Sequence, residues 1–158
     1  MKIFTILRNE KFYYKIKVYF SNGVINNASH YINFLLFCFK GKYEINNVHK
    51  FKSLKDNDFN ANFRLKFKNV AIDFIYSSSN LNKEMEIEYN NNKISIFKKN
   101  GILINKKKIK NTIYRYQYNV LDNLKNYYLN KKFNLCTAKL ASKTLFICEK
   151  ILKKSYVS

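Results

Sequence analysis

Proline and tryptophan are absent from the 158-residue chain, and glycine occurs only at Gly23, Gly41 and Gly101. Without clustered glycine, proline or serine there is no candidate linker, so we expect a single domain spanning residues 1–158. Three scattered glycines also exclude a G-x-G-x-x-G phosphate-binding loop. Hydrophobic residues make up 47% of the chain, which is enough for a folded core.

The chain also has no apolar run long enough to cross a membrane, which takes roughly 20 residues. The best candidate, residues 31–39, is interrupted by Asn33. The first residues lack a signal-peptide pattern, because residues 8–11 are polar and follow the short apolar stretch at once. We therefore expect a cytoplasmic protein without a membrane partner.

Cysteine is scarce, and Cys38, Cys136 and Cys148 each lie in an apolar stretch. The odd count and the wide spacing predict reduced, buried thiols that pack as small hydrophobic residues. Because no Cys/His cluster has the spacing of metal ligands, we expect no bound metal.

Acidic residues are few, at 10 against 30 lysines and arginines, which gives a formal net charge of +20. So large a basic excess is typical of nucleic-acid binding. However, the lysines are spread along the chain, and arginine, the better base reader, occurs only at Arg8, Arg64 and Arg115. The densest lysine patch, residues 106–110, is predicted to be a solvated strand end. We expect no nucleic-acid partner; a basic nucleic-acid-binding module is the alternative, against which the alternating glutamates of residues 84–88 argue.

Alternation of apolar and polar residues predicts a strand-rich chain up to about residue 104. Strands are expected over residues 2–7, 12–20, 62–67, 70–76, 84–89, 94–96 and 102–104, with a hairpin-type break at 98–101. Short loops and one polar face favour antiparallel pairing.

Helical spacing predicts three helices, the first ending near Gly41 and the others over residues 116–129 and 136–153. Asn27 or Ser29 is expected to cap the first helix. Their buried faces are expected to consist, in order, of Ile32, Leu35, Leu36 and Phe39; Val120, Leu121, Leu124 and Tyr128; and Leu140, Thr144, Ile147, Cys148 and Ile151. The order of elements predicts an α+β fold, with a mostly antiparallel open-faced sheet and helices packed on one face.

The two histidines are the candidates for proton transfer near neutral pH. His49 lies in the polar stretch 46–50 and is predicted to be an ordinary surface or strand residue. His30 is at the start of the first helix, after a polar turn. A side chain at this position is held by a rigid element and can face a cleft. Since a lone histidine is more often structural, the interpretation of His30 depends on its context.

That context is the run from Gly23 to Gly41, which begins Gly-Val-Ile-Asn-Asn-Ala-Ser-His-Tyr-Ile-Asn-Phe-Leu. It resembles the C-terminal-domain motif of the glucose–fructose oxidoreductase / inositol dehydrogenase (Gfo/Idh/MocA) family. In that family a Gly-apolar-apolar-Asn/Asp run leads through a small residue and Ser to a His, which opens a helix that ends at a Gly. The Lys-rich strands, the hairpin at Gly101, the helix start at residues 116–124 and the closing segment 138–151 are also similar to that family, so the resemblance covers essentially the whole chain.

The resemblance implies a substrate and oligomerisation domain that normally accompanies an N-terminal Rossmann domain and forms subunit contacts through its open sheet. It implies that His30 hydrogen-bonds the reacting hydroxyl of a sugar or nucleotide-sugar and acts as acid or base. By the same resemblance Asn26, Asn27 and Ser29 are substrate-binding residues, and NAD or NADP is the cofactor of the complete enzyme.

Three departures from the family pattern qualify this expectation. Ala28 stands where the family often has Gly, and Asn33 stands where it usually has an Asp that would orient the imidazole and favour its charged form. The glycine fingerprint and the Glu-Lys-Pro turn that carries the family's catalytic Lys are both absent, so we expect no cofactor binding and no activity by this chain alone. The chain is therefore interpreted as part of a truncated or split sugar oxidoreductase, with a separate Rossmann-domain chain as partner and a homo-oligomer formed through the sheet. A purely structural dimerisation domain is the other alternative.

Overall fold

The computed structural model describes residues 6–7, 9, 11–51, 58–79, 82–98, 101–109, 116–131 and 137–154. Within them the strands are β1 (Tyr14–Phe20), β2 (Glu44–Phe51), β3 (Asn60–Phe67), β4 (Val70–Tyr76), β5 (Lys83–Tyr89), β6 (Asn92–Phe97), β7 (Gly101–Ile104) and β8 (Lys107–Ile109). The helices are α1 (Ser29–Cys38), α2 (Tyr116–Tyr128) and α3 (Ala138–Lys154), and a π-helical turn, Val24–Ala28, leads into α1.

The strands form one sheet in the order β2-β3-β4-β1-β5-β6-β7-β8. Every neighbouring pair is antiparallel except β1 and β4, which run parallel in the middle of the sheet. The predicted α+β fold with a mostly antiparallel open-faced sheet is confirmed.

One face of the sheet forms the core, because alternate residues of each central strand point the same way. Ile16 of β1, for example, pairs with Ile72 of β4 and with Ile87 of β5, and all three are buried. Helices α1 and α3 pack against each other and complete this core with Ile32 and Ile147. Each fully buried side chain of this size contributes about 1.5–3 kcal/mol.

The other face of the sheet is polar, and its strands carry charges of alternating sign in register. Arg64 of β3 pairs with Asp73 of β4, and Lys17 of β1 lies opposite both Asp73 and Glu86 of β5. The Arg64 guanidinium donates two hydrogen bonds to Asp73, at 2.6 and 3.1 Å. We call this row, Arg64–Asp73–Lys17–Glu86, the charge ladder.

Glu86 is the most enclosed member of the charge ladder. Its side chain is 10% exposed and accepts hydrogen bonds from Lys83 at 2.9 Å and from the Tyr19 hydroxyl at 3.0 Å, while Lys93 lies 3.1 Å away. Burial by itself raises the pKa of Glu86, but the hydrogen bonds outweigh it and hold the pKa at about 2. Glu86 therefore stays negatively charged down to low pH, in a chain whose net charge is positive.

Three local predictions are wrong. Residues 2–7 were expected to form a strand, but Ile6 and Leu7 have helical backbone, and residues 2–5 lie outside the described part. Leu7 is buried and the Tyr14 hydroxyl donates to the Ile6 carbonyl, so residues 6–7 pack against the start of β1 and are not part of the sheet. The expected side-chain cap of α1 is absent as well, because the π-helical turn continues directly into the helix through Ala28. The helix ends at Cys38, three residues before Gly41.

The third error concerns α2, whose bounds agree with the prediction but whose expected buried face does not. Leu121, Leu124 and Tyr128 are 60%, 42% and 75% exposed, and the side chain of Val120 lies outside the described set. By contrast, the predicted face of α3 is confirmed, with four of its five residues buried and Leu140 half-buried. The buried thiols of Cys38 and Cys148 also agree with expectation, and Cys136 is not among the described residues. No described helix is long and apolar enough to span a membrane.

Candidate functional site

The candidate site is the segment that joins the end of β1 to the start of α1. Gly23 has a φ of +87°, which places the backbone in a region that favours glycine, and the π-helical turn starts at the next residue. The Asn27 and Ala28 N–H groups both donate to the Gly23 carbonyl, each at 3.2 Å. The turn and α1 are therefore one continuous helical segment that starts immediately after Gly23.

Asp58, which precedes β3, holds the beginning of this segment. Its carboxylate accepts the backbone N–H groups of Ile25 at 2.9 Å, Asn26 at 2.8 Å and Phe59 at 2.7 Å. The Phe59 carbonyl accepts the N–H of Val24 at 2.8 Å. The first N–H groups of a helix lack intrahelical partners, so a buried carboxylate here satisfies them and interacts favourably with the helix dipole.

The contact between Asp58 and Gly23 is close enough to require glycine. A Cβ atom built on Gly23 would lie 2.0 Å from the Asp58 carboxylate oxygen Oδ2. Asp58 is 8% exposed, so its carboxylate fills the space that a side chain at position 23 would need. Sequence reasoning missed Asp58; its one local signal is that it is an acid in a chain that has very few.

His30 is the second residue of α1, and its side chain is exposed. Asn26 lies four residues earlier in the same helical segment and is also exposed, so the two side chains occupy neighbouring turns on one side of it. The predicted site residues His30 and Asn26 thus lie about one helical turn apart, both exposed, in the segment whose start is held by Asp58. His49 lies apart from them, exposed on strand β2.

The other two predicted site residues are less open. Ser29 and Asn27 are half-buried, and the Ser29 hydroxyl donates to the Ile25 carbonyl within the helical segment. Because the Ser29 hydroxyl already donates to the carbonyl four residues earlier, it is less available to a ligand. Asn26 and His30 therefore have the better access to a ligand.

Asn33, which stands where the resemblance places an aspartate, hydrogen-bonds across to α3. Its Nδ2 donates to the Thr144 hydroxyl at 3.2 Å, and that hydroxyl donates to the Leu140 carbonyl at 3.0 Å. The Asn33 amide thus links α1 to α3 by donating a hydrogen bond. An aspartate carboxylate at this position could only accept one.

A second anchor joins the N-terminal end of α1 to the sheet. The Tyr31 hydroxyl donates to Glu84 of β5 at 3.2 Å. Burial and the nearby Glu84 carboxylate both raise the pKa of Tyr31, so the phenol stays protonated. Asp58, just before β3, and Glu84 of β5 thus hold the His30 segment from two places in the sequence.

The chemistry available at this surface is that of one imidazole and one amide on a rigid helix start. Imidazole can exchange a proton near neutral pH, and the amide can donate and accept hydrogen bonds to hydroxyl groups. The nearby thiol of Cys148 is not a nucleophile, because burial, with the Asp58 charge adding to it, raises its pKa to about 11. Among the described residues no group of three His, Cys, Asp or Glu side chains could hold a metal ion.

The start of this helical segment does not fit the pyrophosphate of a dinucleotide. Such a ligand binds to unpartnered N–H groups at a helix start, with glycine allowing close approach. Here Asp58 and Phe59 accept the N–H groups of Val24, Ile25 and Asn26, and the Asp58 carboxylate occupies the space next to Gly23. A phosphate would meet a buried negative charge at this place.

Comparison with known proteins gives one informative likeness. No protein-family model and no curated protein matches the chain. The fold is similar to part of the crystal structure of a dehydrogenase (MviM) from Clostridium difficile, with a TM-score of 0.61 and 16% sequence identity. The likeness covers 95% of this chain and 57% of that dehydrogenase, so the chain corresponds to little more than half of its length. At this level of identity, the chain shares the fold of one part of a dehydrogenase.

Proposed function

We propose that the chain is the substrate-binding and oligomerisation domain of an NAD(P)-dependent sugar oxidoreductase of the Gfo/Idh/MocA type. The observation that carries this proposal is the fold likeness to part of a dehydrogenase over 95% of the chain, with His30 at the helix start where the family motif uses a histidine. In this role His30 hydrogen-bonds the reacting hydroxyl and takes or returns its proton. Asn26 binds a neighbouring hydroxyl, and Asn27 and Ser29 shape the wall of the site.

The cofactor belongs, in this proposal, to a separate nucleotide-binding domain or chain. NAD or NADP would supply hydride transfer when bound there. Two features support this division: the helix start before His30 is occupied by Asp58, and the chain spans 57% of the similar dehydrogenase. The chain by itself would then bind a sugar or nucleotide-sugar weakly and have no dehydrogenase activity.

The open face of the sheet is the proposed surface for homo-oligomer formation. Its charge ladder alternates in sign, so a second copy rotated by a two-fold axis can set positive residues against negative ones. The same carboxylates argue against the alternative of a nucleic-acid-binding sheet, which would need a uniformly basic face.

Histidine signals in NMR provide the direct test, because the chain contains two histidines and both are exposed. The histidine-labelled chain is titrated with hexoses, inositols and nucleotide-sugars at millimolar concentration. We expect the His30 ring signals to shift with at least one of these ligands while the His49 signals stay in place. His30→Asn should abolish the response of the backbone signals around Asn26, and the matched variant His49→Asn should preserve it.

Two results would reject the proposal. If no sugar moves the His30 signals, the site does not bind substrate, and the purely structural dimerisation domain becomes the better interpretation. If NAD(H) or NADP(H) binds tightly to the chain alone, the division into two half-sites is wrong.

A further inference from the structure

A second concave site, which we call the lysine pocket, lies beyond the C-terminal end of α1, at the other end of that helix from His30. The segment between α1 and β2 and the turn between β3 and β4 enclose about 520 Å³. The basic residues of its wall are Lys40, Lys42, Lys66 and Lys68, and all four are exposed. Glu44 is the acidic residue on the wall, so the wall carries three more positive charges than negative ones.

Two lysines of helix α3 lie close to Tyr43, which is a residue of the wall of the lysine pocket. The Nζ atoms of Lys143 and Lys150 lie 5.6 and 5.9 Å from the centre of the Tyr43 ring, within the range of cation–π attraction. The other neighbour of this ring is Phe67, whose centre is 6.2 Å away. Lys143 and Lys150 thus lie beside one residue of the wall, and Lys150 is also 4.5 Å from the centre of the Phe146 ring.

Ion pairs with described carboxylates do not involve these lysines. Within the described part of the chain, the ion pairs involve Arg64, Lys83 and Lys93, and neither the four wall lysines nor the two α3 lysines lie within 4.0 Å of a carboxylate oxygen. One or two cations after a helix would be explained by the helix dipole. The four lysines of this wall repel one another and leave a strong positive potential at the concavity.

The composition of the chain alone does not account for this concentration of charge. A comparable concavity on the open face of the sheet holds about 450 Å³ and is lined by three basic residues, which three acidic residues balance. The two carboxylates of the charge ladder and that of Glu88 thus balance the positive charges at one site, while the lysine pocket keeps an excess. The excess is a property of this place in the fold.

We infer that the lysine pocket binds a ligand bearing two or three linked phosphate groups. Phosphate is an anion for which lysine is a common partner, and a chain of phosphates presents several charges within the pocket's dimensions. The Tyr43 ring is already approached by two ammonium groups and by Phe67, which favours recognition of the phosphates over stacking of a base. The site is distinct from the His30 surface, so the inference goes beyond the proposed function.

Calorimetric titration of the whole chain with inorganic tripolyphosphate at low ionic strength tests the inference. We expect saturable binding that weakens as salt rises, because the contacts are exposed ion pairs. The double variant Lys42→Gln with Lys68→Gln should weaken binding about tenfold, since each pair contributes up to roughly a factor of five. The matched control is Lys107→Gln with Lys108→Gln on β8, which removes the same charge elsewhere and should weaken binding less than about twofold.

Several outcomes would overturn the inference. Equal weakening by the pocket and control variants would mean that the +20 chain attracts anions diffusely. Equal affinity for citrate and tripolyphosphate would remove the preference for phosphate. Tighter binding of a single-stranded oligonucleotide, sensitive to both variants, would indicate a broad nucleic-acid surface in place of a small-ligand site.

Discussion

Replacing Asp58 by alanine is the sharpest test of how the candidate site is held. The change removes the acceptor of three backbone hydrogen bonds of 2.7–2.9 Å, to Ile25, Asn26 and Phe59. Hydrogen bonds to a charged group contribute about 1.5–3 kcal/mol each, but water can replace those of the exposed Ile25 and Asn26. We therefore expect the free energy of unfolding to fall by about 2–4 kcal/mol, measured by urea denaturation at pH 7.

Asp73→Ala is the matched control for this loss of a carboxylate. Asp73 pairs with Arg64 on the open face, where both side chains are about one-third or more exposed, at 33% and 42%. Exposed ion pairs contribute about 0–1 kcal/mol. If Asp58→Ala costs no more than Asp73→Ala, the carboxylate of Asp58 does not organise the segment as we argue.

A double-mutant cycle with Gly23 extends the same test. Gly23→Ala places a Cβ atom 2.0 Å from the Asp58 carboxylate and also strains a backbone at φ +87°. Gly41→Ala, at φ +107° with no atom within 4 Å of the new Cβ, isolates the backbone strain. We expect Gly23→Ala to cost clearly more than Gly41→Ala in the wild-type chain, and the excess to disappear when Asp58 is alanine. Additive effects in the cycle would refute the close approach.

Two further predictions concern the charge ladder and the helices. The pKa of Glu86 in the folded chain, about 2, lies below its ordinary value of 4.5, so Glu86 stabilises the fold above pH 4.5 and that contribution is lost as the pH falls from about 4.5 to 2. The difference in urea midpoint between the wild type and Glu86→Gln should therefore shrink over that pH range. A difference that stays constant would contradict the low pKa of Glu86. In the helices, Ile147→Ala in α3 should reduce the free energy of unfolding by about 2–5 kcal/mol, because Ile147 is fully buried. Leu124→Ala in α2 should reduce it by less than about 0.5 kcal/mol, because Leu124 is exposed. Equal losses in urea denaturation would show that α2 is packed in solution.

The strands that sequence patterns predict well are those with one buried face. In β3, and in β4 up to Phe74, every second residue is apolar and buried, so local alternation is sufficient. Strand β2 was missed because most of its residues are exposed and its pairing with β3 is broken by a bulge next to Asn47, whose φ is 52°. The strand is defined by its partner, and a period-2 pattern carries no information about a partner.

A similar limit explains the errors in the helices and at the candidate site. The apolar spacing of α2 predicts its helical form, but it does not say what the apolar side would contact, and Leu121 and Tyr128 are exposed. The position of His30 at a helix start could be predicted because the signal is local. Asp58 could not, because it lies 33 residues along the chain from Ile25 and contacts only the backbone there.

The parallel pairing of β1 with β4 has a consequence for how the chain folds. Strands β2 to β4 and strands β5 to β8 are two runs of sequential neighbours that can pair through nearby contacts. Strand β1 precedes both runs in the sequence, yet its partners are β4 and β5, so it lies between the two runs in the sheet. Because pairing between strands that are distant in sequence is slow, we expect the pairing of β1 to limit the folding rate. Since Gly23 and the segment that carries His30 follow β1 directly, the same pairing also sets the position of the candidate site.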